Sequence, residues 1–304
     1  MNEAQITIVE VGPRDGLQAD PANLSTAEKA QLIERLVDAG HCRIEAAGFV
    51  SYKAVPKMAD SDDLMKLVVR PDHVTYSALA FNQAGLERAL AAGVHEVTGV
   101  VVASESFSQR NQRATVAESI DRWRSINQQA KSAGLRTSVV IATAFGCPFE
   151  GKVNPASVIE IVDQLAATEP NEICLADTIG VGVPNQVGEL FETTATVTSG
   201  VVLRGHFHNT RNTGLANVAA AIQAGVRVFD ASIGGVGGCP FAPRATGNVA
   251  TEDVVYMVEQ MGYSTGLNLD RLIKTTAWFE SVLGHSTPGL VAKAGGFPTA
   301  QEST

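Results

Sequence analysis

The feature that most constrains this chain is an eightfold alternation. Short apolar runs rich in β-branched residues, at roughly 5–11, 43–49, 74–80, 96–102, 136–144, 171–176, 202–208 and 228–233, are each followed by an amphipathic segment. The helical periodicity falls near 26–39, 60–68, 82–92, 115–132, 155–167, 185–197, 213–223 and 251–260. Eight strand–helix units are what a (β/α)8, or TIM, barrel of the α/β class requires, and about 250 residues accommodate one. Runs such as Val139-Val140-Ile141-Ala142 lack strict alternation, as strands buried on both faces do. Ser25-Thr26-Ala27-Glu28 has capping-box spacing, and Gly93, Gly134 and Gly225 each stop a helical pattern before a strand. The barrel is expected over 1–262. One further helical pattern (269–283) and a Gly/Pro-rich tail make 263–304 a small C-terminal helical appendage packed on it.

At 304 residues with 45% hydrophobic side chains, the chain can bury a large core. Its formal net charge is −9 and no Lys/Arg run forms a stripe, so nucleic acid is not an expected partner. No apolar run reaches the ~18 residues of a membrane span, so no membrane role is expected. A strand begins within about five residues of the start, leaving no expected signal or transit peptide. Cys42, Cys147, Cys174 and Cys239 show no C-x-x-C spacing, which argues against a structural zinc and for reduced thiols in a cytoplasmic protein.

Barrel chemistry gathers at the C-terminal ends of the strands, so polar residues placed there are the candidates. Val9-Glu10-Val11-Gly12-Pro13-Arg14-Asp15-Gly16-Leu17-Gln18 ends the first strand with a cation beside an anion between glycines. Asp15 offers an oxygen to a metal and Arg14 a guanidinium to developing negative charge. Glu45 lies inside the second strand, where a carboxylate needs a partner. Arg14 is the obvious one, and a purely structural ion pair is the competing reading. His206-Phe207-His208 ends the seventh strand; residues i and i+2 of a strand share a face, so the imidazoles form a divalent-metal edge rather than two satisfied core histidines. Mixed His and carboxylate ligation with open positions suits Mg2+ or Mn2+.

After the eighth strand, residues 234–248 form a glycine-rich loop without dinucleotide-fingerprint spacing. Cys239 in that loop is either a proton-transfer thiol over the mouth or an inert small filler. Asn248 is either a metal ligand or the cap of the following helix. Asp177, ending the sixth strand, can be a general base or a supporting anchor. Lys152, Asn111 and Arg110 are candidate contacts to a phosphate-bearing substrate; a lone Lys such as Lys152 is equally explained by solvation.

These residues resemble the 3-hydroxy-3-methylglutaryl-CoA (HMG-CoA) lyase family, within the barrel metallolyases that carry an Arg-Asp-Glu signature. The likeness spans nearly the whole chain: 9–18, Phe49-Val50-Ser51, 146–152, 177–182, His206-x-His208 and 237–248 with Ala250-Thr251-Glu252-Asp253. It implies that Asp15, His206, His208 and Asn248 bind a divalent cation. It further implies that Arg14 stabilises a thioester enolate, that Cys239 transfers protons, and that Asp177, Glu45 and Glu252 support the site or shuttle protons. Gln18, Asn111 and Lys152 are candidate acyl-CoA contacts, Arg211 is a further cation near the mouth that suits a different or larger 3-hydroxyacyl-CoA, and the resemblance implies a homodimer.

The pattern departs from the family's best-known lyases. His206-Phe207-His208-Asn209-Thr210-Arg211 replaces their His-Cys-His-Asp-Thr-Tyr, Ala46-Ala47-Gly48 replaces Thr-Thr-Ser, and Cys174 and Ala176 replace Ser and Gly. The ligands and Arg14 survive, while the acyl surroundings differ. Expected alternatives are therefore a lyase for citramalyl-CoA or a long-branched 3-hydroxyglutaryl-CoA, or a condensing acyltransferase akin to isopropylmalate and citramalate synthases.

Overall fold

The computed structural model describes residues 5–298 apart from 240 and 241, and the side chains of 239 and 242–246 also fall outside the described set. Eight parallel strands close into a barrel: β1 Thr7–Glu10, β2 Arg43–Gly48, β3 Thr75–Leu79, β4 Glu96–Val102, β5 Arg136–Ala142, β6 Glu172–Asp177, β7 Val202–Phe207 and β8 Val228–Ala231. Closure is made by β1 on β8, with Val9 opposite Asp230 and Glu10 opposite Ala231. A two-stranded ribbon, β9 Gly238–Cys239 and β10 Ala242–Thr246, follows β8. All eight strands and all eight barrel helices fall where the hydrophobic pattern places them. The Ser25–Glu28 capping box forms as its spacing predicts.

Several elements were not expected, the β9–β10 ribbon among them. Residues Glu105–Gln112 form a helix that buries only Phe107 and Ser108. Its polar composition carries no periodic signal, and Arg113 in the left-handed region (φ 52°) separates it from the helix Val116–Ser132. Gly12–Gly16, read as a strand end, is a single π turn.

Charge also shapes the barrel floor, where the strands begin. Arg43 donates to Glu172 (2.7 Å) and Glu96 (3.0 Å), Arg136 reaches both, and the buried Arg204 lies 3.5 Å from Glu172. Every buried charge there has an opposite neighbour, the condition under which burial is tolerable.

The C-terminal helix Leu269–Leu283 buries Leu272, Phe279 and Leu283 and packs against the helices Thr26–Asp38 and Thr251–Gln260. Arg35 lies 4.5 Å over the Trp278 ring, a cation–π contact between this helix and Thr26–Asp38. Among the described residues, no helix is long and apolar enough to cross a membrane.

Candidate active site

The site is assembled around the turn that follows β1. Glu10, the last residue of that strand, is fully buried. Its carboxylate accepts from the Gly12 N–H (2.8 Å), the Ile233 N–H (2.9 Å) and the Thr251 hydroxyl (2.6 Å). One side chain thus ties the π turn to the loop after β8. The turn projects Arg14 and Asp15 into the mouth. Arg14 Nε donates to Glu45 Oε2 (2.7 Å), Nη2 contacts the same carboxylate, and Nη1 donates to Asp15 Oδ1 (2.8 Å). The expected Arg14–Glu45 pairing is therefore present, and it fixes the plane of the guanidinium. Burial opposes the charge on Arg14, but Glu45 and Asp15 outweigh it and raise its pKa.

Asp15, His206 and His208 place one ligand atom each within 4.8 Å of one another. Their electrostatics divide the work. Burial first, and then the neighbouring His206, push His208 down to about 4, so its imidazole is neutral and a lone pair is free. His208 Nδ1 is buried with no hydrogen-bond partner, so no protein hydrogen bond fixes the ring's tautomer from that side. Burial disfavours charge on His206, yet the Asp230 hydrogen bond and the Asp230 and Asp15 charges override it and raise its pKa. Burial likewise works against ionised Asp15, and Arg14, His206 and His208 outweigh it, so its pKa is lowered. One anion and two imidazoles converging on a point fit a divalent cation. Asn248 donates from Nδ2 to Asp15 Oδ2 (3.0 Å) and to the Val236 carbonyl (3.2 Å); an amide turned by half a rotation would present its oxygen instead. The turn before it needs glycine. Gly247 has φ 25°, and a Cβ there would lie 2.0 Å from the Gly235 carbonyl oxygen.

Arg14, Asp15, Gln18, Glu45, Asn111, His206 and His208 line one cavity of about 300 Å3 at the barrel mouth. The remaining candidates lie elsewhere. Asp177 is fully buried and accepts from the Val181 (2.9 Å) and Gly182 (2.8 Å) amides, so it holds the turn after β6. Glu252 accepts from the Gly234 N–H (3.1 Å) and the Thr276 hydroxyl (3.3 Å) behind the glycine loop. Lys152 lines a separate cavity of about 670 Å3 with residues of the helices Pro155–Ala166 and Pro184–Val197. Arg211 Nη1 donates to the Ile179 (2.8 Å) and Gly180 (3.0 Å) carbonyls, which ties this nitrogen to the loop after β6. Arg110 lies 4.2 Å over the Phe149 ring. The Cys239 thiol is outside the described side chains.

Asp230 and Glu10 were missed as site residues in the sequence. Asp230, in β8, sits beside His206 in register and accepts at 3.0 Å from its Nδ1. Its other oxygen lies 3.4 Å from Arg204 Nε. The logic that singles out Glu45, an acid inside an apolar strand, applies equally to Asp230 within Val-Phe-Asp-Ala. Asp230 fixes the His206 tautomer with Nδ1 occupied, leaving Nε2 for a cation. Asp230→Asn is expected to weaken Mn2+ binding about 10- to 100-fold in a calorimetric titration. Unchanged affinity would remove Asp230 from this role.

Among the carboxyls that burial drives upward, Glu10 reaches about 8 and Glu252 about 7, from the ordinary 4.5. A carboxyl with a higher pKa folded than unfolded binds more protons in the folded state, so its contribution is complete below the unfolded value and is lost as pH rises through the folded one. Thermal stability should therefore fall between about pH 5 and 8 on this account. Glu10→Gln, which copies the protonated carboxyl, should flatten that slope. Equal slopes for the two proteins would contradict it.

Fold and site together define a class: a (β/α)8 barrel enzyme whose mouth carries a candidate divalent-cation site. A family model described as HMGL-like matches residues 5–278. The chain is 43% identical over 300 residues to the (R)-citramalyl-CoA lyase of Chloroflexus aurantiacus, covering 95% of each. It is 40% identical over 284 residues to the hydroxymethylglutaryl-CoA lyase YngG of Bacillus subtilis, covering 93% of this chain and 95% of that one. A solved HMG-CoA lyase from Acinetobacter baumannii, in complex with coenzyme A and 3-methylmalate, superimposes with a TM-score of 0.93 at 40% identity, covering 97% of this chain and 98% of the other. The chain belongs to the HMGL-like family and is a carbon–carbon lyase.

Proposed function

We propose that this lyase cleaves a 3-hydroxy-3-methylglutaryl-CoA-like thioester to acetyl-CoA and a keto acid, acetoacetate when the substrate is HMG-CoA, using Mg2+ or Mn2+. The observation that carries the reading is one cavity holding a guanidinium clamped by two carboxylates beside a three-residue ligand cluster. A divalent cation held by Asp15, His206, His208 and a rotated Asn248 would supply Lewis acidity and an anchor for the substrate hydroxyl and distal carboxylate. The chain's own groups do the rest. Loss of the hydroxyl proton lets the C3–O bond become a carbonyl while the C2–C3 electron pair leaves as the thioester enolate. Arg14 is oriented in advance for that negative charge; one such donor is worth about 3 kcal/mol. Glu45 reaches the cavity and is driven to a raised pKa, burial being the main cause, so it is a candidate proton carrier as well as the Arg14 clamp. Asp177 and Glu252 act as supports, since their oxygens hold loop amides. Cys239 as the proton donor to C2 rests on the family resemblance, as does a homodimer; a cytoplasmic location rests on the scattered cysteines. Residues 1–262 would carry the chemistry and 263–304 would cover the outside of the barrel.

A citramalyl-CoA substrate is the second reading, favoured by the Chloroflexus relative. Incubation with Mg2+ or Mn2+ and each thioester in turn should release acetyl-CoA and an equimolar keto acid. Hydrolysis to free coenzyme A alone would refute the reading.

A further inference from the structure

The cavity has two unlike walls. The Arg14–Asp15 turn, His206 and Asp230 make the polar one, on β1, β7 and β8. Facing it, β4, β5 and β6 contribute Val100, Val140, Ala142 and Ala176. In the closed strand order, β4 and β5 stand half-way round the barrel from β8 and β1. A (β/α)8 interior is ordinarily filled by layers of bulky branched side chains. Here Val100 and Val140 are followed toward the mouth by the small Ala142 and Ala176, and the space in front of them stays open. Val100 and Val140, paired in register in mid-strand, are only half-buried, whereas Val101, Val139 and Ile141 beside them are fully buried. The peptide groups of this wall are paired in the β4–β5 and β5–β6 ladders. These four side chains therefore offer hydrocarbon surface, beside Asn111, Gln112, Arg122 and Thr178 of the same cavity.

We infer that the substrate carries, on its hydroxyl-bearing C3, an aliphatic substituent longer than methyl, seated against Val100, Val140, Ala142 and Ala176. The inference rests on the lyase reading above. The geometry of a tertiary alcohol carries it. The hydroxyl and carboxylate are drawn to the polar wall, and the thioester arm leads out through the mouth. The fourth bond of C3 then points across the cavity, and Ala176 lies beside His206 in register, so the apolar wall begins next to the ligand cluster. A methyl group would leave most of that wall uncovered. Each further methylene buried there is worth about fourfold in binding.

The test is a series of 3-hydroxyglutaryl-CoA thioesters bearing methyl, propyl or pentyl at C3, with a 2-hydroxyethyl analogue of propyl length, assayed with the Mn2+-loaded full chain. kcat/KM should rise at least about tenfold from methyl to propyl, and the hydroxyethyl analogue should not share the gain. Val140→Phe should lower the propyl-to-methyl ratio about tenfold or more, and Val100→Leu should do so in a smaller step. The wild-type series decides the matter if neither variant folds. A methyl substrate preferred over its longer homologues would overturn this inference and leave the lyase reading standing. Failure to cleave any member would overturn both.

Discussion

Arg14→Lys is expected to lower kcat about 10²- to 10³-fold while leaving Mn2+ affinity within about threefold. The positive charge survives the change, so Asp15 keeps a cation beside it and the ligand cluster keeps its shape. What is lost is the planar fork. Arg14 uses Nε and Nη2 on Glu45 and Nη1 on Asp15, which fixes its plane and orients it toward a developing oxyanion. A lysine ammonium is a point charge on a flexible stem; it can satisfy Glu45 or the enolate but cannot hold both in one geometry. The loss should fall on kcat, because the charge it answers exists only after the carbon–carbon bond begins to break. A variant retaining kcat within tenfold would show that Arg14 serves structure rather than the enolate.

The second large effect concerns the cation. Stripping the protein with a chelator should reduce turnover by about three orders of magnitude, since a bound cation supplies several kcal/mol of charge stabilisation. Mg2+ or Mn2+ should restore it. His208→Ala should make the loss permanent at ordinary metal concentrations. His208 is the ligand with the cleanest preparation for the role: buried, held neutral with a pKa near 4, and with Nδ1 unpartnered. Its removal takes a lone pair from the cluster without uncovering a charge. Full activity of the stripped protein would contradict the metal reading, and a His208→Ala protein that still responds to Mn2+ at the wild-type concentration would contradict this residue's part in it.

Much of the architecture was legible because barrel strands are buried on both faces. Val97, Val101, Val139 and Ile141 leave no ambiguity about where the chain must hide its side chains. The Arg14–Asp15 turn and the His206–His208 pair were legible for a related reason. Charged or ligating side chains at the ends of apolar strands have few other uses, and the structure brings all four to one cavity. What stayed hidden depends on barrel closure. Asp230 meets His206 across adjacent strands, and Glu10 meets Thr251 from the far end of the sequence. An acid inside an apolar strand marks Asp230 itself, but local patterns do not say which residue it meets. A cation after a strand suggests an anionic ligand; in the structure Arg211 Nη1 donates to the Ile179 and Gly180 carbonyls, and Lys152 lines another cavity. The polar helix Glu105–Gln112 was invisible because it buries almost nothing of its own.

The most direct test of the central claim is cleavage in deuterium oxide, with the released acetyl-CoA analysed by mass spectrometry. An enolate held by Arg14 and protonated once from exchangeable groups predicts acetyl-CoA carrying a single deuteron in its methyl group, matched by an equal amount of keto acid. Free coenzyme A with an intact acid, or acetyl-CoA without solvent deuterium, would contradict carbon–carbon cleavage through an enolate at this site.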